Sequence, residues 1–435
     1  MFNKLRREVF FLLDKLKGSI ITNNLMILNK YDKLSYNDEW LLNDRKKNIE
    51  RLIETATNKT EFYSINKGMD FMDFPLINKN IIKDNQEKIM NSDYKHEQLF
   101  QMATSGSTGT PFICYQNAYK KKKVSSEIIF YSQKVGYKIG NNLIYLRSLS
   151  NRSKKPYYKQ LMQNQFTLDC NNLSNDKLKF LLNKIIKYSQ NGKAMLLGYG
   201  STYKVLSEYI KNNHNLPNIK LSGVVSGSDM LFDDVRKNIE ETFQCRCYSR
   251  YSNEENGVIG QDELENNVFY LNEANYYVEI FKLNEDKPAD EGEIGRIVVT
   301  DLYNYAMPMI RYDTGDIGRI SYRKDHNGIA KRVIDQFGGR KIDIIYKTTG
   351  EVISPHSITN MMWDYPNIRQ FQFIQSDEKE YKLILNISNN IDVALIESEL
   401  KEIVGQDAII AVEFVDEIPV LSSGKRRYIS NEWRK

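Results

Sequence analysis

Cysteine and histidine are scarce in this sequence, with four of each in 435 residues. Of Cys114, Cys170, Cys245 and Cys247, only the last two are close, and Cys-Arg-Cys is neither a zinc nor a thioredoxin spacing. A disulfide-stapled scaffold is excluded, and reduced thiols in a cytoplasm fit best. His96, His214, His326 and His356 lie far apart, and no two share metal-ligand spacing. No apolar run is long enough to span a bilayer. The N-terminal cluster Val9-Phe10-Phe11-Leu12-Leu13 is cut by Asp14 and Lys15. It reads as one face of an amphipathic helix, not a signal peptide, so no stable membrane insertion is expected. Charge of one sign is lacking too: 61 basic against 56 acidic residues leave +5, which implies no nucleic-acid partner.

What remains is globular composition, 41% hydrophobic and 27% charged. The length calls for two or more domains. Residues 1 to about 95 read as mostly helical, with a break at Pro75. Short apolar runs near 143–146, 194–197 and 221–225 read as buried strands between amphipathic segments. Ser174 is placed to cap a helix carrying Leu178, Leu181, Leu182, Ile185 and Ile186 on one face. Val235, Ile239 and Phe243 align on another helix. Strand, loop, helix, strand is the rhythm of a wound α/β layer. From about 268 it changes to short strands, at 268–271, 277–282, 294–300 and 317–322, with an antiparallel or barrel-like look. Gly338-Gly339 reads as a flexible break. The remainder suffices for a small α+β domain with strands near 381–387 and 408–415.

Five segments carry chemistry. Thr104-Ser105-Gly106-Ser107-Thr108-Gly109-Thr110-Pro111 packs hydroxyls and glycines so that backbone amides and side chains can both meet an anion. It lacks the Gly-Lys-Ser/Thr of a Walker A loop, and a plain flexible loop is its alternative. In Tyr251-Ser252-Asn253-Glu254-Glu255-Asn256-Gly257, a tyrosine can stack on a base and a carboxylate can hold magnesium; a surface turn is the alternative. In Arg311-Tyr312-Asp313-Thr314-Gly315-Asp316, an aspartate after a glycine turn can accept both ribose hydroxyls, though such turns also close ordinary hairpins. Gly339-Arg340, with Asp343 beyond, stands at the expected junction. Pro419-Val420-Leu421-Ser422-Ser423-Gly424-Lys425 offers a lysine on a loop that can offset charge on a reacting phosphate. The run Lys120-Lys121-Lys122-Lys123 reads first as a solvated helix face, with a phosphate-binding patch as the alternative.

In order and spacing these segments resemble the adenylate-forming superfamily of acyl-CoA synthetases, adenylation domains and luciferases. The phenylacetate-CoA ligase branch and its capsule-biosynthesis, CapK-like relatives are most similar. The resemblance runs from about Asp73 to Lys425 and includes Phe74-Pro75-Leu76-Ile77-Asn78-Lys79. It implies a large N-terminal α/β lobe with a helical start and a β-barrel-like subdomain, residues 1–338, and a small mobile α+β domain, residues 339–435. It further implies that the loop Thr104 to Pro111 covers the β- and γ-phosphates of ATP, and that Tyr251 stacks on adenine. Glu255 would coordinate Mg2+, Asp316 would bind the ribose with help from Arg340, and Lys425 would be the mobile catalytic lysine. Ser226-Gly227-Ser228-Asp229 matches the adenine-side loop, with Ser228 a nucleotide contact. Ser252 replaces the family's glycine, Glu254 its hydroxyl residue, and Ile342 the first aspartate of its hinge.

The expected activity is AMP-forming ligation of a small carboxylic acid to a thiol, with coenzyme A as co-substrate. The alternatives are an amine or carrier-protein acceptor in surface-polysaccharide synthesis, and a nucleotide-binding module without catalysis.

Overall fold

The computed structural model describes residues 2–104, 112–147, 155–170, 173–213, 219–227, 231, 233–263, 265–340, 345–350, 352–353, 358, 361–362, 364–365, 367–419 and 428–433. The chain opens with three helices, α1 (Phe2–Leu16), α2 (Ile20–Asp32) and α3 (Glu39–Lys59). Asp38 caps α3 by accepting from the amides of Trp40 and Leu41, at 2.9 and 3.3 Å. The helical run ends at Lys59, well ahead of Pro75, with only single turns at 64–66 and 71–73 between; α-helix resumes at α4 (Lys79–Asp84), where Asn78 accepts from Asn80 and Ile81, and α5 (Gln86–Ile89) follows.

A hairpin, β1 (Phe100–Thr104) and β2 (Phe112–Gln116), pairs Thr104 with Phe112. The hydroxyl-rich segment 105–111 joins these paired ends and lies outside the described residues. Next comes α6 (Ala118–Lys134), then a wound layer: β3 (Leu143–Arg147), α7 (Tyr157–Gln163), β4 (Gln165–Asp169), α8 (Asn175–Tyr188), β5 (Met195–Gly198), α9 (Gly200–Lys211), β6 (Gly223–Gly227), α10 (Asp233–Phe243) and β7 (Cys247–Asn253). Strands β4, β3, β5, β6 and β7 are parallel neighbours. Ser174 caps α8, and Leu178, Leu181, Leu182 and Ile185 are buried with Val235, Ile239 and Phe243 of α10 against the sheet.

The sheet continues through antiparallel strands: β8 (Gly257–Asp262), β9 (Phe269–Leu271), β10 (Tyr276–Phe281), β11 (Gly295–Asp301), β12 (Tyr312–Lys324) and β13 (Ala330–Arg340). The strands expected as a barrel-like subdomain thus share hydrogen bonds with the parallel layer, making one sheet of 11 strands among the described residues. The change from parallel to antiparallel falls at the β7–β8 hairpin. Gly338-Gly339, read from sequence as a break, is strand: β13 runs on to Arg340, opposite Asp316.

The C-terminal α+β unit has a four-stranded sheet, with β14 (Ile345–Tyr346) and β15 (Val352–Ile353) preceding it. It comprises β16 (Ile368–Gln375), β17 (Glu380–Ile387), β18 (Ile409–Phe414) and β19 (Ile429–Asn431). Helix α11 (Val393–Val404) buries Ile396, Leu400 and Val404 in a separate core with Phe373, Leu383 and Leu385. All four cysteines are free thiols. Among the described residues no helix is long and apolar enough to cross a membrane.

Candidate active site

In an open α/β sheet, ligands bind beyond the carboxyl ends of the parallel strands, where the strand order changes. The strand order reverses between β3 and β5, whereas the candidate residues gather at the carboxyl end of β7, the last parallel strand, and in the tight turn into β8. Gly257 makes the turn at φ +130, a region L side chains avoid. A Cβ there would stand 2.5 Å from Glu127 Oε2 and 2.6 Å from the Tyr276 hydroxyl, so both backbone and space demand glycine.

The turn and β12 meet through two phenols. Tyr251 of β7 is buried, and its hydroxyl donates to Asp316 Oδ2 at 2.9 Å and lies 3.5 Å from Thr314 Oγ1. Its ring packs on Phe337 and Phe269, with centroids at 4.7 and 6.0 Å. Thr314 accepts the Asp316 amide at 3.1 Å across Gly315, whose φ is +79. Tyr312 donates to Glu255 Oε1 at 3.2 Å. Burial, with the adjacent carboxylates Asp316 and Glu255 respectively, pushes both phenols well above their ordinary range, so they stay protonated donors.

Glu255 is 1% exposed, whereas its neighbour Glu254 is exposed. Lys79, at the start of α4, pairs with Glu255 Oε1 at 2.9 Å. The segment before Lys79 is stitched to β12: the Ile77 amide donates to Arg311 at 3.1 Å and the Asp313 amide donates to Ile77 at 2.7 Å. Lys79 carried no assigned role from sequence; its one signal was membership of the Phe74-to-Lys79 run. Tyr251, Glu255 and Asp316 therefore come together, and the backbone of Arg340 joins them through its register with Asp316. Thr104 lies at the end of β1. Ser105, Gly106, Ser107, Thr108, Gly109, Thr110, Ser228, Ile342, Asp343 and Lys425 lie outside the described residues, as does the Arg340 side chain.

Two comparisons bear on the ancestry of this arrangement. The CapK C-terminal domain family matches residues 345–432. Protein CapK of Staphylococcus aureus is 25% identical, covering 97% of this chain and 96% of that protein. The chain resembles the CapK-like branch of the adenylate-forming superfamily. Phenylacetate-coenzyme A ligase of Thermus thermophilus is 22% identical over 45% of this chain and 42% of that one. Among solved structures, 2-hydroxyisobutyryl-CoA ligase in its postadenylation state with R3-HIB-AMP aligns at TM-score 0.69. That alignment has 16% identity and covers 88% of each chain. ATP-bound MatB of Rhodopseudomonas palustris aligns at 0.54 with 16% identity, over 77% of this chain and 68% of that one. These two likenesses concern the fold.

A buried polar network stands behind Glu255 in this CapK-like chain. Glu127 of α6 accepts from the Val258 amide at 2.9 Å, Asn275 Nδ2 at 2.6 Å and the Tyr276 hydroxyl at 2.9 Å. Tyr276 also lies 2.6 Å from the Asn256 carbonyl and accepts from Lys120 Nζ at 3.0 Å. Lys120 pairs with Asp301 at 2.7 Å, and both side chains are fully buried. Burial pushes the Glu127 carboxyl up, partly offset by Lys120.

The lysine run is thus not a solvated face. Lys120 and Lys123 point inward, Lys123 donating to Asn24 Oδ1 at 2.8 Å with its ammonium 3.3 Å from the Tyr303 ring centroid. Burial pulls Lys123 down to about 7, although Glu127 opposes this. Residues three apart on a helix share a face, and here that face looks into acids and aromatics from distant strands.

The residues present fit a nucleotide-borne magnesium ion. Glu255 Oε2 accepts no hydrogen bond among the described residues, and Oε1 is held by Lys79 and Tyr312. No group of three His, Cys, Asp or Glu among the described residues could hold a metal alone. Magnesium bound by one carboxylate and completed by substrate phosphates suits such a site. Both polar side-chain atoms of Asn256 are buried beside Glu255 without a hydrogen-bond partner among the described residues, which adds unused polar capacity there.

Proposed function

We propose that this chain is an AMP-forming ligase acting on a small carboxylic acid. It joins the acid to ATP as an acyl-adenylate and passes the acyl group to a thiol, with coenzyme A as first reading. The observation that carries the proposal is the 2.9 Å hydrogen bond from Tyr251 to Asp316. It joins two motifs 65 residues apart on the fold of an acyl-CoA ligase caught with its acyl-AMP.

In the first half-reaction a substrate carboxylate oxygen attacks the α-phosphorus of ATP, and the bond to pyrophosphate breaks. Two anions must approach in line, so positioning and charge neutralisation carry the step. We assign Asp316 to the ribose hydroxyls with Arg340, Tyr251 and Ser228 to the adenine side, and the hydroxyls and glycines at 104–110 to the phosphates. Magnesium held by Glu255 would neutralise phosphate charge. Lys79, beside Glu255, is placed to bind a phosphate oxygen or hold Glu255 in register. Lys425 is assigned to the charge developing on the α-phosphate, where one such contact is worth about 10²–10³ in rate. In the second half-reaction a thiol sulfur attacks the acyl carbon and AMP leaves, the thiol proton passing to solvent. A rotation of residues 339–435 against 1–338 would exchange the two faces. We place the enzyme in the cytoplasm, where ATP is supplied.

A second reading replaces the thiol by an amine or a carrier-protein thiol in surface-polysaccharide synthesis. It is favoured by the near full-length match to Protein CapK, against 45% of this chain for the phenylacetate-coenzyme A ligase. ATP–pyrophosphate exchange with a panel of acids tests the common core. ATP binding without exchange for any acid would leave a nucleotide-binding module and refute the proposal. Adding coenzyme A and weighing the product separates the two readings: a thioester supports the first, and acyl-adenylate alone the second.

A further inference from the structure

Helix α1 turns its apolar side away from the protein. Leu5, Val9, Leu12, Leu13 and Leu16 fall on one face at helical spacing, with exposures of 56, 44, 56, 48 and 75%. The opposite face does the packing. Asn3 donates to Asn141 at 3.0 Å, Phe11 packs against the core beneath α2 and α6, and the buried Asp14 accepts from the amide and hydroxyl of Thr22. An amphipathic helix of a globular protein normally buries its leucines, so this one, anchored by polar contacts and Phe11, leaves its hydrophobic stripe unpartnered among the described residues.

The surroundings say what the stripe suits. Lys4, Arg6, Lys15 and Lys17 are exposed at its sides, and Glu8 is the one exposed acid of 2–17, because Asp14 is buried. Arg6 ties α1 to the adjoining α7, donating to Asn164 Oδ1 at 2.6 Å and to the Leu161 carbonyl at 3.4 Å. Helix α7 contains no acid, and Tyr157, Tyr158, Leu161 and Met162 on it are 55, 61, 41 and 75% exposed. Leucines flanked by cationic side chains, with tyrosines alongside, match the boundary between acyl chains and anionic headgroups. A second copy of the chain fits worse, since a symmetric pairing would set identical cationic flanks against each other.

The geometry points to a peripheral docking surface, formed by α1 with α7, for membranes bearing anionic phospholipid. It works without a spanning helix and independently of the proposed chemistry. Flotation of the full-length protein with vesicles containing about 30% phosphatidylglycerol, against pure phosphatidylcholine, tests it. Binding to the anionic vesicles that weakens with salt is expected. Leu12→Asp/Leu16→Asp, at two exposed positions, should lower partitioning roughly a hundredfold or more. Lys4→Gln and Lys15→Gln should each lower it about fivefold. Circular dichroism and pyrophosphate exchange should be unchanged in all of them. No binding to anionic vesicles, or binding unaltered by the leucine substitutions, would overturn the inference. Lipid-independent dimerisation that the same substitutions abolish, without flotation, would overturn it in favour of a second copy.

Discussion

Tyr276→Phe removes one oxygen from the centre of the buried network while leaving the ring. That oxygen stands 2.9 Å from Glu127 Oε1, 2.6 Å from the Asn256 carbonyl and 3.0 Å from Lys120 Nζ. Glu127 would keep Val258 and Asn275, and Lys120 would keep Asp301, so neither charge is left alone. The one hydroxyl proton serves either Glu127 or the Asn256 carbonyl, so one of these two acceptors would lose its Tyr276 donor. An unsatisfied buried group costs about 1–3 kcal/mol, and a hydrogen bond to a charged group is worth about 1.5–3. These shares overlap, and a net loss of about 2–4 kcal/mol is expected from urea unfolding. Tyr158→Phe on exposed α7 should stay within about 0.5 kcal/mol. Because Asn256 follows Glu255, the turn should also loosen, and a displacement near 1 Å lowers turnover on the order of a hundredfold. Pyrophosphate exchange should therefore fall in kcat more than ATP affinity falls. Wild-type stability would refute the energetic reasoning; lowered stability with unaltered exchange would refute the link from the network to Glu255.

Other outcomes follow from the same geometry. Asp316→Ala should weaken ATP binding by about 1.5–3 kcal/mol for each charged hydrogen bond lost, measured by calorimetry; unchanged affinity would contradict the ribose assignment. Lys425→Ala should abolish pyrophosphate exchange while leaving unfolding and ATP binding nearly intact, and wild-type exchange would sink that assignment. Lys123 sits at about 7 when folded against an ordinary 10.5, so the unfolded chain binds the extra proton between those values. Its contribution thus makes stability rise with pH across that window and is flat below it. Lys123→Met should remove the rise, seen as a smaller increase in urea midpoint from about pH 7 to about pH 10. An alkaline arm identical to wild type would show that Lys123 is not the titrating group.

Much of the architecture was legible as periodicity and turn chemistry. Ser174 and the leucines after it form a capped α8, and the apolar runs near 143–146, 194–197 and 221–225 fall on three of the five parallel strands, β3, β5 and β6. Motif order also named Tyr251, Glu255 and Asp316 as residues of interest. Their convergence is a tertiary fact, because β7 and β12 are separated in the sheet by β8, β9 and β13 and still face one site. Lys79 was not singled out, since its ion pair with Glu255 spans the hairpin and the wound layer in sequence.

Three matters were undetermined by local pattern. Four successive lysines look solvated because lysine usually is, yet Asp301 and Asn24, both remote in sequence, decide that Lys120 and Lys123 are buried. The glycine pair at 338–339 permits a break, but pairing with β12 makes it strand. The spacing of Leu5, Val9, Leu12 and Leu16 proves an amphipathic helix without saying which face meets the protein. Periodicity records that two faces differ; only the packing of Asn3, Phe11 and Asp14 turns the apolar one outward.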